Sequence, residues 1–261
     1  MLINIEKLKG GLSEFRGAIP FDHCVIDDFF CEGVAEELEA EFLSYDDSRW
    51  FFYNNAVENK KAISDWNLFP GHTYRALCEL NSDSVISVLR DCLGIDLYQD
   101  PGLHGGGWHI HGSGGNLNPH LDYSIHPKLK LQRKLNVIVY LSSELREEHG
   151  GHLGFWSNDQ ITGGPANLTK EVFPKFNRAV IFDTTQDSWH GMSRQLVQPQ
   201  GIFRKSLAVY YLTEPSGDVS YRERALFAPR EDQRGNDEVE ELIKLRSDSK
   251  LFSSVYRSKK K

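Results

Sequence analysis

Between Gly105 and Thr213 the chain is cut into short β-rich runs separated by Gly, Pro and Asn, and this punctuation constrains the fold more than any other feature. The runs fall at 107–112, 119–123, 133–142, 152–157, 168–173, 178–183, 188–193 and 203–213. About eight strands at such spacing, with no internal repeat, predict a jelly-roll or cupin-like double-stranded β-helix. The expected class is α+β, mainly β, with N-terminal helices packed on one sheet. At 261 residues one elaborated domain accommodates the whole chain.

The flanks read differently. Residues 1–20 suggest an edge strand or arm. A helix then carries Val34, Leu38 and Phe42 at four-residue spacing, with Glu36, Glu37, Glu39 and Glu41 as a solvated face. The aromatic-rich stretches at 50–55 and 66–70 lack periodicity and read as core packing rather than a substrate lid. Asn81-Ser-Asp83 offers a cap for a second helix, with Val85, Ile86, Leu89, Cys92 and Leu93 on one face and Gly94 as its stop. Residues 1–100 thus form a helical support for a 101–215 β core. Residues 216–261 form a polar extension with a helix at about 237–246, placing Val239, Leu242 and Ile243 toward the body and assigned no chemistry.

A net charge of −7 argues against a nucleic-acid partner. The one basic run, Lys259-Lys260-Lys261, reads as a frayed end. Four cysteines without C-x-x-C spacing fit a reduced, cytoplasmic setting. No apolar run approaches a membrane span, and the N-terminus lacks a secretory pattern, so no membrane partner is expected.

The candidate chemistry starts at Asn118-Pro-His-Leu-Asp-Tyr123. On a strand, His120 and Asp122 project from one face with Leu121 turned away. One His-x-Asp is ordinary in a chain with 10 histidines, and it becomes informative only with partners farther along. His190 comes 68 residues after Asp122, and Arg204-Lys-Ser206 opens a strand 14 residues later. Divalent iron favours two imidazoles and one carboxylate with open positions for other ligands. A metal-chelated dicarboxylate needs a buried Arg and a hydroxyl at its far end. By alternation Arg204, Ser206 and Ala208 share one strand face, while Lys205, the competing anchor, shares the other with Leu207 and Val209.

In this order the residues resemble the Fe(II)/2-oxoglutarate-dependent oxygenases, specifically their prolyl-4-hydroxylase-like branch, over roughly 100–215 with a weaker echo at 19–29. The resemblance implies that His120, Asp122 and His190 hold Fe(II). It also implies that Arg204, Ser206 and Tyr140 hold the far carboxylate of 2-oxoglutarate, against which Leu153 packs. Substrate would be hydroxylated as O2 is consumed and 2-oxoglutarate becomes succinate and CO2, with ascorbate as an optional reductant. Because Asp122 is present, hydroxylation is favoured over halogenation. Arg204 lies farther from His190 than is usual in the family, so Val197-Gln-Pro-Gln-Gly201 is expected to form a lengthened turn. His109, His111 and Asn136 are assigned to the substrate pocket, and His149 and His152 to no chemical duty. The expected substrate is a small or medium-sized metabolite, such as a sugar, amino-acid derivative or natural product. Protein prolyl hydroxylation and a non-oxygenase sugar-binding cupin are the alternatives.

Overall fold

The computed structural model describes residues 1–256, and the Lys259-Lys260-Lys261 run expected to fray lies outside them. Among the described residues two antiparallel sheets face each other. The larger runs His23–Ile26, Arg178–Asp183, Gln132–Tyr140, Arg204–Thr213, Gly107–His111, Glu58–Ile63, Phe51–Asn54, with Tyr98–Gln99 and Asn116–Leu117 paired beside it. The smaller runs Pro165–Val172, Leu153–Asn158, His190–Met192, His120–Leu121, Leu226–Phe227. Neighbours in space are distant in sequence, the double-stranded β-helix that the punctuation predicts.

Alternation along the long strands of the larger sheet divides their labour. Leu135, Val137 and Val139, with Leu207, Val209 and Tyr211, pack outward into a core shared with Leu77, Leu80, Ile86 and Leu89 of the N-terminal helices. Their neighbours Asn136 and Ile138, with Arg204, Ser206 and Ala208, turn into a cavity between the sheets. Tyr140, Leu153, Phe155, Val180 and Phe182 fill the closed end of that space. The sheet therefore has a dry helix-covered face and a polar inner face.

The helix Asp83–Leu93 forms where expected: the Ser82 hydroxyl accepts from the Val85 amide and Gly94 ends it at φ 62°. Its Cys92, expected on the apolar face, is exposed. Asp237–Ser247 also forms, with Val239, Leu242 and Ile243 in one apolar cluster. Three further expectations need correction. Residues 1–20 contain a helix, Ile5–Leu12, capped by the Asn4 side chain and burying Leu8 and Leu12, rather than a strand. The aromatic stretch at 50–55 belongs to a hairpin, Phe51–Asn54 with Glu58–Ile63, that extends the larger sheet. The acidic run after Val34 is not simply solvated: Glu41 accepts from the His72 and Thr73 amides at the start of the unforeseen helix Gly71–Leu80, and Glu39 pairs with Lys205. All four cysteines are free. No helix among the described residues is long and apolar enough to cross a membrane.

Candidate active site

The cavity between the sheets measures about 580 Å³, and its inner end gathers residues from three separate parts of the sequence. His120 and His190 are direct cross-strand partners, with ring centroids 4.2 Å apart. Asp122 follows on the His120 side, its oxygens 3.8 Å from His120 Nε2 and 3.8 Å from His190 Nε2. One donor atom from each residue fits within a 4.8 Å cluster, and all three side chains are buried.

Backbone carbonyls select the tautomers. His120 Nδ1 lies 3.0 Å from the Asn118 carbonyl oxygen and His190 Nδ1 lies 2.8 Å from that of Ser188. A carbonyl only accepts, so each Nδ1 carries the proton and each Nε2 presents a lone pair toward Asp122. Burial, the largest influence, keeps both imidazoles below their usual pKa and hence neutral, as metal binding requires. Asp122 is also opposed by burial. The electrostatics around it, with the Arg133 guanidinium foremost, outweigh burial and hold the carboxyl well below its usual range.

Arg133 is a site residue that the sequence does not announce. Its Nη1 lies 3.1 Å from Asp122 Oδ2, and its guanidinium is stacked between Tyr123 (3.6 Å) and Tyr210 (3.4 Å). The β-rich run at 133–142 puts it on a strand, but its partner is non-local and leaves no sequence signal. Phe227 is another, since the polar sequence of 216–261 points to no chemistry. Its ring stacks on His120 at 5.0 Å, and Leu226–Phe227 pairs with His120–Leu121. That extension therefore walls the cavity.

The predicted anchor set converges on the same cavity. Arg204 is buried, donates Nε to the Gly151 carbonyl (2.7 Å) and Nη2 to the Tyr140 hydroxyl (3.3 Å), and pairs across the sheet with His111. Ser206, Leu153, His109, His111 and Asn136 line the cavity with it. Lys205 faces the other way, 3.2 Å from Glu39. Residues 193–203 form the long connection between the two strands, turning where the Ile202 amide bonds Pro199 and Gly201 adopts φ 91°. His149 sits in a short 3-10 turn, whereas His152 is buried just before the Leu153–Asn158 strand.

Gly151 is part of the anchor's geometry. At φ 72°, a Cβ there would meet Leu196 at 2.7 Å and the Arg204 side chain at 3.0 Å. Gly151→Ala is expected to push Arg204 aside and weaken 2-oxoglutarate binding about tenfold, a loss of roughly 1.4 kcal/mol. Titration of tryptophan fluorescence, with Trp189 beside His190, measures it; an unchanged affinity would separate Gly151 from the anchor.

A double-stranded β-helix with two histidines and an aspartate between its sheets defines a class of metal-dependent oxygenases. Residues 106–219 match the model of the 2OG-Fe(II) oxygenase superfamily. That segment, residues 106–219, is the part of the chain that resembles the family, and it contains His120, Asp122, His190 and Arg204. Its fold is similar to a Trichoplax adhaerens prolyl hydroxylase in complex with a hypoxia-inducible-factor peptide fragment, at TM-score 0.55 and 18% identity over 80% of this chain and 90% of that one. A Pseudomonas putida prolyl-4-hydroxylase matches at TM-score 0.52 and 14% identity over 80% and 100%. HygX from Streptomyces hygroscopicus, with nickel, 2-oxoglutarate and hygromycin B bound, matches at 0.51 and 15% over 80% and 86%. No curated protein sequence matches the chain.

Proposed function

We propose that the chain is an Fe(II)/2-oxoglutarate-dependent dioxygenase in which His120, Asp122 and His190 hold the iron, and Arg204, Tyr140 and Ser206 hold the far carboxylate of 2-oxoglutarate while Leu153 packs against it. The observation that carries the reading is the pair of Nε2 lone pairs facing one carboxylate, with both Nδ1 protons committed to backbone carbonyls. When bound, iron would activate O2, the oxidant, while 2-oxoglutarate would supply two of the four electrons and leave as succinate and CO2. The chain's own residues orient and enclose. Arg204 has two N–H groups tied to Gly151 and Tyr140, which fixes the plane of its fork and leaves other donors for a carboxylate. Phe227 against His120 and Phe182 against His190 exclude water from the reacting end.

The substrate proposed is a small or medium-sized metabolite. Its support is the C-terminal wall: Leu226–Phe227 and Arg246 close one side of the cavity that an extended peptide would have to cross. Anaerobic addition of Fe(II) and 2-oxoglutarate is expected to give the visible metal-to-ligand charge-transfer band, and a colourless complex would remove the ligand assignment. A panel of free metabolites and proline-containing peptides, read by succinate release, decides the substrate class. Stimulation by peptides alone would replace the metabolite reading with protein prolyl hydroxylation.

Arg133 supplies a separate test. In metal-free protein it is the partner of a buried carboxylate, and Arg133→Met leaves Asp122 uncompensated at about 3 kcal/mol. A bound divalent ion would replace the lost charge. The fall in Tm is therefore expected to shrink when Mn(II) is added, and a fall indifferent to Mn(II) would argue against metal at Asp122.

A further inference from the structure

The hairpin strand Glu58–Ile63 lies two places from the Arg204 strand, beyond Gly107–His111. Glu58, Lys60 and Ala62 line the cavity, whereas Lys61 turns away, its Nζ on the Tyr45 carbonyl (2.6 Å) and over the Tyr45 ring (3.8 Å). Lys60 is different. Among the described residues its ammonium has no ion pair or hydrogen bond, only the Tyr53 ring at 5.3 Å. Burial pushes its pKa down, so the charged form lacks compensation in the protein alone.

The carboxylates around it are committed. Glu58, two residues along the same face and 1% exposed, accepts from Arg246 Nε at 2.6 Å and from the Tyr256 hydroxyl. Asp65 holds Asn67, and Glu223 accepts from Tyr221. Arg224 adds a second cation at the cavity, stacked 3.8 Å over Phe252 with no carboxylate in ion-pair reach among the described residues. His109, between Ala62 and Ser206 in the sheet, is pushed down to about 3, by burial first and then Lys60, so it is neutral. Lys60 and Arg224 are thus cations at this part of the cavity with no carboxylate in ion-pair reach among the described residues.

Two strand spacings separate Lys60 from the Arg204 strand, roughly 10 Å. A five-carbon dicarboxylate held between Arg204 and His190 would not also serve Lys60. We propose that the substrate is an acid, and that Lys60 receives its carboxylate or phosphate across the Gly107–His111 strand from the co-substrate. This rests on the oxygenase reading and narrows the metabolite to an anionic one. A half-buried ammonium paired only by the right ligand also rejects neutral analogues, which would leave it uncompensated.

The test uses protein labelled with ¹³C-lysine, loaded with Zn(II) and the unreactive 2-oxoglutarate mimic N-oxalylglycine. The Lys60 ε-methylene resonance is assigned with Lys60→Arg, then followed as inorganic phosphate or, separately, acetate is added at constant ionic strength. The expected result is a saturable shift at Lys60 with a midpoint about tenfold below that of any response at Lys7 or Lys175. A stronger response to phosphate assigns a phosphorylated substrate, and a stronger response to acetate a carboxylic acid. A Lys60 response no different from the surface lysines overturns the proposal. So does a Lys60 shift completed by N-oxalylglycine alone, since the ammonium then serves the co-substrate. Failure of the oxygenase reading appears separately, as absence of Zn(II)-dependent N-oxalylglycine binding by tryptophan fluorescence, and the Lys60 titration still reads on metal-free protein.

Discussion

Replacing His190 or His120 with Ala is expected to abolish Fe(II)-dependent succinate formation together with the visible charge-transfer band. Each imidazole has one nitrogen committed to a backbone carbonyl and the other aimed at Asp122, so each variant leaves only two of three candidate donors. Loss of an outer-shell partner alone weakens metal binding 10–100-fold, so loss of a ligand should exceed about 100-fold. Asp122→Ala should also end hydroxylation, although two imidazoles could retain iron weakly. His111→Ala is the control. It shares the cavity but stands in the strand paired to Arg204, and it should keep the band. Undiminished turnover in His120→Ala or His190→Ala would remove that residue from the site.

The second large effect is expected at Arg204. A far carboxylate that loses its bidentate partner inside the cavity should lose on the order of 2–5 kcal/mol of binding, which is roughly 30- to several-thousand-fold in 2-oxoglutarate affinity. Arg204→Lys should fall between, because an ammonium carries the charge but cannot bond Gly151 and Tyr140 together while keeping a fork for the ligand. Lys205→Ala should leave that affinity nearly unchanged, since Lys205 points to Glu39 on the helix-covered side. The dissociation constants of the three variants decide the strand's orientation. A large loss at Lys205 with a normal Arg204→Ala would mean that Ser206 leaves the site too.

The legible parts of this protein are those written in local pattern. Alternation places Arg204 and Ser206 on one face and Lys205 on the other, and the structure has that arrangement. The capped helix at Asp83–Leu93 needs only Ser82 and Gly94. What escapes depends on distant partners. Arg133 is a site residue only because Asp122, Tyr123 and Tyr210 surround it. Lys60 matters only once residues 58–63 are known to be a strand, and Asn54, Asn55 and Asn59 with Lys60 and Lys61 hide that strand from any β-propensity reading. Glu39 and Glu41 look like a solvated helix face until Lys205 and the start of Gly71–Leu80 are brought to them.

The pairing of Leu226–Phe227 with His120–Leu121 bears on where this protein could be shortened. The segment that matches the oxygenase family ends at residue 219, yet the strand that borders His120 comes after it. A chain stopped at 219 would turn His120–Leu121 into a bare sheet edge, open to pairing with another molecule. It would also strand the Glu58 carboxylate inside without Arg246. The smallest piece able to fold as an isolated unit therefore extends past the chemistry, through at least Arg246.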